Sequence, residues 1–278
     1  MRLSVIVTTY NQPEWLDLVL CGYAVQEFRD FELIVADDGS DQRTAEVIER
    51  ARPDSAVPIL HIWHEDHGFR KCEILNKAIL AASGDILLFT DGDCIPRRDF
   101  LSVHDRLLVP GRFLSGGYAK LPEHVSRAIS REDVASGRVT DYRWLRRRGA
   151  GSTRALLRLR VPAAIAGVLD LATPTRPSFN GHNASAWRED ILRVNGFDER
   201  MGWGGLDREL GERLENAGVR GLQVRHRAHV VHLHHARGYR KPDVVRANRA
   251  IRDETARSRR VRTPVGLDRH TSVDSAIS

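Results

Sequence analysis

The chain has 278 residues, with 43 Lys and Arg against 37 Asp and Glu, a formal charge of +6. Its 41% hydrophobic and 29% charged content excludes a disordered or collagen-like polypeptide. About 150 residues make an ordinary domain, so the length allows one large domain or two small ones. The cationic residues are almost all Arg, since only Lys71, Lys77, Lys120 and Lys241 are Lys. The rigid Arg fork suits phosphate, and the charge balance favours an anionic partner: a nucleotide, a lipid head group or a nucleic acid. Cys21, Cys72 and Cys94 are an odd set without CxxC spacing, which argues against a disulfide framework or a zinc knuckle and points to a reducing cytoplasm. The start MRLSVIVTTYN lacks a signal-peptide pattern. The longest apolar run, Val161 to Ala172, is broken by Pro162 and Asp170 and falls well short of the roughly 20 residues that span a bilayer.

Leu3 to Thr9 is apolar and β-branched, the mark of a strand. Pro13 then opens a segment with Leu16, Val19, Leu20 and Tyr23 at helical spacing. The alternation continues, with strands expected at Phe31 to Ala36, Ile59 to Trp63 and Ile86 to Thr90, and helices at Gln42 to Ala51, Arg70 to Ala82 and Arg97 to Leu108. Such an α/β order makes a mostly parallel sheet covered on both faces, with ligands bound beyond the carboxyl ends of the strands. The polar motifs fall at those ends. Thr8, Thr9, Tyr10 and Asn11 close the first strand. Asp37 and Asp38 close the second, where carboxylates can accept from uracil N3–H or ribose hydroxyls; the acids from Asp38 to Asp41 also make a turn and a helix cap on their own account. The fourth strand ends in Thr90-Asp91-Gly92-Asp93, whose glycine lets one carboxylate face a ribose and the other a hard divalent cation able to bridge a diphosphate. Arg70 and Lys71, at the opening of a helix, suit phosphate.

Between Tyr142 and Leu169 come seven Arg, no acid and scattered apolar residues, read as a basic helical insertion. A second organised module runs from about Ser178 to His235. In its Gly202-Trp-Gly-Gly-Leu-Asp207, the paired glycines allow a turn at positive φ, Trp203 offers a flat face to a sugar ring and Asp207 reaches the cleft. Asp207 can also be the N-cap of the helix that follows, which carries Leu210, Leu214 and Ala217 as its stripe and Gly218 as its stop. A further strand is expected at Leu222 to Val231, and beside it His229, His232, His234 and His235 make a metal-binding cluster plausible on chemistry. Thr263 to Ser278 is small and polar, the composition of a disordered tail.

The runs His64-Glu-Asp-His-Gly-Phe-Arg-Lys-Cys-Glu-Ile-Leu-Asn76 and Phe89-Thr-Asp-Gly-Asp-Cys-Ile-Pro96 resemble the family 2 glycosyltransferases of the GT-A fold, in the chondroitin-polymerase and lipopolysaccharide-type branch, over roughly Leu3 to Ser115. The second module is similar to the C-terminal region of galactosyltransferases, whose motif reads GWGGED; here Leu206 replaces the first acid. The resemblance implies one GT-A, Rossmann-like domain: a nucleotide-sugar half at 1–120, the basic insertion at 121–177, an acceptor and catalytic half at 178–262 and the tail at 263–278. It implies that Thr8, Tyr10, Asp38 and Asp91 contact the nucleoside, that Arg70 approaches the diphosphate and that Asp93 binds Mn²⁺ or Mg²⁺. It further implies a metal-completing histidine at His235, with His232 next in line, a general base at Asp207, and an acceptor surface at Trp203, Gly204 and Gly205. The activity so implied is inverting, metal-dependent transfer from a nucleotide sugar, UDP-linked, to a hydroxyl of a glycan, glycolipid or other acceptor, in cell-surface polysaccharide or lipopolysaccharide synthesis. The expected partners are that donor, a glycan or lipid-linked acceptor and an anionic membrane touched peripherally on its inner face, with no nucleic acid. Two other readings are a catalytically idle relative that binds nucleotide sugar or membrane, and a nucleic-acid-binding protein suggested by a pI near 9.6 and the Arg runs.

Overall fold

A computed structural model of the chain describes residues 2–235 and 241–271. The first third alternates as β1 (Leu3–Thr9), α1 (Pro13–Ala24), β2 (Phe31–Asp37), α2 (Gln42–Ala51), β3 (Ile59–Trp63), α3 (Lys71–Ala81), β4 (Ile86–Asp91), β5 (Cys94–Pro96) and α4 (Phe100–Leu107). Strands β6 (Arg112–Ser115) and β7 (Gly117–Lys120) precede the short helices α5 (Glu123–Arg127), α6 (Arg131–Ala135), α7 (Tyr142–Arg147) and α8 (Arg154–Leu157) and the longer α9 (Ala163–Ala172). Then come β8 (Ala184–Trp187), α10 (Arg188–Arg193), α11 (Leu206–Asn216), β9 (Arg220–Gln223), β10 (His229–His232), α12 (Pro242–Ser258) and α13 (Asp268–Thr271).

Seven strands form the main sheet in the order β3-β2-β1-β4-β8-β6-β9. Its first four are parallel, while β8 runs antiparallel to both neighbours. Every residue of β1 and β2 is buried, because successive side chains enter opposite cores. Val5, Val7, Val35 and Leu88 pack with α1 and α2 on one face; Ile6, Ile34, Leu87 and Phe89 pack with α3, α10 and α11 on the other. Phe89 meets Phe179 and Phe197 edge to face, with centroids 5.6 and 5.5 Å apart. A small second sheet, β5-β10-β7, sets His232 opposite Cys94, next to Asp93.

The two halves are clasped by hydrogen bonds. Asn76 on α3 donates to the Phe197 carbonyl at 2.9 Å and accepts from the Phe197 N–H at 2.8 Å. Within α11, Glu209 and Arg213 are both fully buried; Arg213 donates to Glu209 at 2.8 Å and to the Gly196 carbonyl at 2.7 Å, and Thr255 of α12 donates to Glu209 at 3.0 Å. Each remaining donor and acceptor of this pair is thus used, the condition under which a buried ion pair is tolerated.

Three expectations are corrected. The strand expected at Leu222 to Val231 is two strands in two sheets, because Val224 closes a turn by accepting from Arg227 and Ala228 N–H at 3.0 and 2.8 Å. The helix expected from Arg97 begins at Phe100, after a turn in which Arg97 pairs with Asp99 at 2.5 Å. The tail is ordered over 263–271: Thr263 and Leu267 are buried, and Asn195 Nδ2 donates to the Thr263 carbonyl at 2.9 Å. Composition missed this because backbone hydrogen bonds, such as Glu199 N–H to the Val265 carbonyl at 3.0 Å, do the anchoring. Residues 272–278 lie outside the described residues. The expected basic insertion is a set of short helices; its Leu145 and Leu156 are fully buried and join the core.

Candidate active site

The register of β1 and β4 sets Thr8 beside Asp91 at the carboxyl edge of the sheet. Thr8 Oγ1 donates to Asp91 Oδ1 at 2.9 Å, and Lys71 Nζ, from the first turn of α3, donates to the same oxygen at 2.6 Å. Burial alone would push the Asp91 carboxyl up, but the Lys71 ammonium and Thr8 hold it below the usual carboxylate range. Reciprocally, burial would lower Lys71, yet the carboxylates of Asp91 and Asp207 keep it protonated above its ordinary value.

The Asp37–Asp41 segment divides its labour. Asp37 accepts from the Ser40 N–H at 2.8 Å and Asp41 caps α2 by accepting from the Arg43 N–H at 3.1 Å, so these two acids build the turn. Asp38 instead lines the cleft, with His64 Nε2 at 2.8 Å and the Arg70 backbone N–H at 3.1 Å on its two oxygens. Tyr10 is half exposed on the cleft wall and donates to Asp66 at 2.9 Å. The Arg70 guanidinium points elsewhere, to Glu73 at 3.1 Å and to the Glu65 carbonyl. Lys71, and not Arg70, is the cation that lines the cleft.

At the far side of Asp91, Asp93 is buried beside both expected histidines: His235 Nε2 lies 3.3 Å from Oδ2 and His232 Nε2 3.9 Å from Oδ1. The two imidazoles stack, 5.3 Å between centroids. His232 Nδ1 lies 2.7 Å from the Leu233 carbonyl, a contact only an N–H can make, so in the neutral ring it is Nε2 that offers a lone pair on the side of Asp93. One carboxylate and two imidazoles are an oxygen and nitrogen donor set of the kind that Mn²⁺ or Mg²⁺ accepts. Cys94 is also within reach, but burial raises its thiol well above its ordinary value, and it donates to Asp93 Oδ1 at 3.4 Å as a protonated S–H. His229 and His234 lie apart from this set: His229 is buried behind β10 with its pKa pushed down to about 3, chiefly by burial, and His234 approaches Glu123 at 3.9 Å.

The second module closes the cleft. Gly204 and Gly205 sit at φ +110 and +86, a left-handed turn that only glycine adopts without strain. Gly205 is the N-cap of α11, so Asp207 is not: it lies in the first turn with its carboxylate toward the cleft. Its approach to the Asn180-Gly181-His182 loop is so close that a Cβ on Gly181 would stand 2.6 Å from Asp207 Oδ1. That oxygen is buried without a well-formed hydrogen bond among the described residues, although the backbone N–H groups of Gly181 and of Asp207 itself lie close enough to the carboxylate to favour its charged form. Burial raises the Asp207 carboxyl; Lys71 counteracts and Asp91 adds to the rise. Leu206, standing where a relative would carry an acid, is buried in the second core, so its side chain packs where a carboxylate would be costly.

These groups line one cleft of about 690 Å³, which brings together Thr8, Tyr10, Asp38, Asp91, Asp93, His232, His235, Asp207 and the Trp203-Gly204-Gly205 turn. Of the site residues that the resemblance implies, Arg70 alone falls outside its wall; Asp37, His229 and His234, also noted in the sequence, lie outside it as well. The wall residues His182 and Tyr118 carried no signal in the sequence. His182 packs edge to face on Tyr118 at 4.5 Å, and burial lowers its pKa to about 4, so the imidazole is neutral near pH 7. The Asn180-Gly-His-Asn183 string that holds it reads as an ordinary loop.

The glycosyl transferase family 2 profile matches residues 4–105, the segment that supplies Thr8, Asp38, Lys71, Asp91 and Asp93. Residues 4–105 form a glycosyltransferase family 2 domain. A second profile, described as the N-terminal domain of galactosyltransferase, matches residues 174–236 and supplies the Trp203 turn, Asp207 and the histidines. Among curated relatives, validoxylamine A glucosyltransferase of Streptomyces hygroscopicus subsp. jinggangensis is 31% identical over 233 residues, covering 78% of this chain and 52% of that one. Chondroitin synthase of Escherichia coli is 25% identical over 240 residues, covering 78% of this chain and 32% of that one. The chain therefore spans about half of the first relative's length and a third of the second's. The solved structure of Staphylococcus aureus TarS 1–349 in complex with UDP superposes with a TM-score of 0.61 at 16% identity, over 97% of this chain and 68% of that one, a likeness of fold. The architecture is that of the GT-A glycosyltransferases.

Proposed function

We propose that the chain transfers a sugar, with inversion, from a UDP-linked donor to an acceptor hydroxyl, in the synthesis of a surface glycan, glycolipid or polysaccharide. The observation that carries this is the meeting, in one cleft, of the Thr8-Asp91-Lys71 cluster, the Asp93-His232-His235 donor set and the unpartnered Asp207 oxygen. Thr8, Tyr10, Asp38 and Asp91 hold the nucleoside, and Lys71 meets the diphosphate as a fixed cation. Held by Asp93 with His232 and His235, Mn²⁺ or Mg²⁺ would offset the charge of the departing diphosphate. Asp207 Oδ1 takes the proton of the acceptor hydroxyl as that oxygen attacks the anomeric carbon, and Trp203 gives the acceptor ring a flat face. Lys71, which opposes the effect of burial, and the first turn of α11 favour the ionised form of Asp207 that this task needs. Incubation with Mn²⁺ and a panel of UDP-sugars tests the reading: metal-dependent release of UDP with at least one sugar is expected, and no release with any of them would contradict it.

Peripheral contact with an anionic membrane has its own observation. Helix α9 turns Ile165, Val168 and Leu171 to solvent at spacings of three, 49, 65 and 80% exposed, and Arg154, Arg158 and Arg160 precede it with no acid between Tyr142 and Leu169. No helix among the described residues is long and apolar enough to cross a membrane. An apolar helix face beside cations fits the boundary of an anionic leaflet, where each basic residue adds about 1 kcal/mol. Vesicles containing phosphatidylglycerol should retain the protein and pure phosphatidylcholine should not, with Val168→Glu and Leu171→Glu together releasing it; equal recovery with both lipids would contradict the contact.

A further inference from the structure

A second cleft of about 1150 Å³ adjoins the first and shares Tyr118, His182, Trp203 and Asp207 with it, so whatever occupies it lies against Asp207 in a space that Thr8, Tyr10, Asp38 and Asp91 do not line. Its wall is unevenly charged. Six cationic side chains, Lys120, Arg158, Arg208, Arg225, Arg249 and Arg252, face three carboxylates, Asp207, Glu212 and Asp253. Glu212 is already clamped by Arg252, and Arg249 approaches Asp253 at 3.9 Å. Among the described residues no carboxylate lies within ion-pair distance of Lys120, Arg158, Arg208 or Arg225.

Arg158 and Arg225 are the telling pair. Both are partly buried, and burial lowers the pKa of each, the sign of guanidinium groups taken from water without a full counter-charge. The neighbouring acid, Asp170, is spent elsewhere: Oδ1 accepts from the His226 N–H at 2.8 Å and Oδ2 from Arg227 Nε at 2.7 Å. Arg225 Nη1 finds only the Thr175 hydroxyl at 3.2 Å, and its Nε is buried without a partner. Folding has thus placed two planar forks in the wall of a cleft, with N–H donors left for a ligand that accepts. A neutral sugar hydroxyl would leave that charge uncompensated, whereas an oxyanion matches the fork in geometry and charge.

We infer that the acceptor bound in this second cleft carries an anionic group, a phosphate or a carboxylate, held by Arg158 and Arg225 at the cleft wall while its hydroxyl is presented to Asp207. This rests on the transferase reading given above and names the acceptor class within it. Lys120 and Arg208 add attraction at the rim, where both are exposed.

Titrations followed by protein NMR on the full chain test it, with glucose 6-phosphate, glucuronate and glucose as probes and UDP with Mn²⁺ as a separate titration. Wild type is expected to bind both anionic probes at least tenfold more tightly than glucose, the tighter of the two identifying the anion. The double variant Arg158→Ala, Arg225→Ala should lose that preference, and Arg158→Lys, Arg225→Lys, which keeps the charge without the fork, should restore part of it. Glucose binding as tightly as the anionic probes would overturn the inference, as would a folded double-alanine variant that retains the preference. Should the alanine variant not fold, the wild-type comparison and the lysine variant decide in the same sense. Loss of UDP binding in wild type with the anionic preference intact would count against the transferase reading and leave the anion subsite standing.

Discussion

At the scale of the residue, the proposed base is Asp207, whose Oδ1 is buried without a hydrogen-bond partner among the described residues. Because Gly205 occupies the N-cap, replacing Asp207 removes no cap and should cost little stability. Burial raises its pKa, so the folded state penalises the charged form: that penalty is absent below the ordinary carboxyl pKa and complete above the raised one. Asp207→Asn should therefore unfold at or above the wild-type temperature at pH 7 while transferring sugar on the order of 100-fold more slowly. In the same terms the wild-type rate should fall on the acid side with a midpoint above the usual carboxylate range, read from a pH profile of kcat. A second residue prediction separates neighbours. Lys71→Ala should weaken UDP binding by about tenfold, about 1.4 kcal/mol, whereas Arg70→Ala, whose guanidinium is turned to Glu73, should stay near wild type in the same titration. The sequence locates the acids at the strand tips because a β-strand followed by a polar tip has little freedom. It could not choose Lys71 over Arg70, since adjacent positions at a helix start point in different directions, and one residue of phase separates a wall residue from an outward one.

At the scale of the element, the turn before α11 aims the base. Its two left-handed glycines are readable from Gly-Gly, but the reason the turn matters is the close approach of Gly181 to Asp207, which joins positions 26 residues apart and leaves no periodic trace. Gly205→Ala would place a Cβ in the left-handed region, at a cost of about 1–2 kcal/mol, and next to Arg252 Cδ at 3.3 Å. Chemical denaturation should show that loss, and turnover should fall further than the stability change alone accounts for, because the helix start shifts with its carboxylate. The β10 strand teaches the complementary lesson. His232 and His235 were legible as a cluster, but their meeting with Asp93 depends on β10 pairing antiparallel with β5 in a separate small sheet, a contact spanning about half the chain. The single strand expected there would have kept them in the main sheet.

At the scale of the whole molecule, the α/β alternation of the first 100 residues was readable because β1, β2 and β4 are buried apolar runs and the helices between them carry apolar residues at helical spacing, while the edge strand β3 is half exposed. The order of β8, β6 and β9 was not, since these four-residue strands have no pattern of their own and are placed by packing against Phe113, Phe179 and Asn183. Several histidines are buried in that packing. His104 hydrogen-bonds Ser185 and Asn183 at 2.8 and 3.1 Å and titrates near 4, driven down by burial, and His229 titrates near 3. Their folded pKa values lie below the ordinary 6.5, so the fold favours the neutral ring. The stability they support is intact above about pH 6.5 and is lost as pH falls through 6.5 toward 4. Urea unfolding at pH 7.5 and 5 should show that loss, and His104→Gln should reduce the difference between the two.

The central claim is that the two segments form one metal-assisted nucleotide-sugar site organised around Asp93. Calorimetric titration of UDP into wild type and Asp93→Ala, each with and without Mn²⁺, tests it most directly. Mn²⁺ should tighten UDP binding to wild type by at least about tenfold, about 1.4 kcal/mol, and should leave a folded Asp93→Ala unaffected. UDP binding indifferent to Mn²⁺ in wild type, or an equal Mn²⁺ enhancement in the variant, would contradict the account.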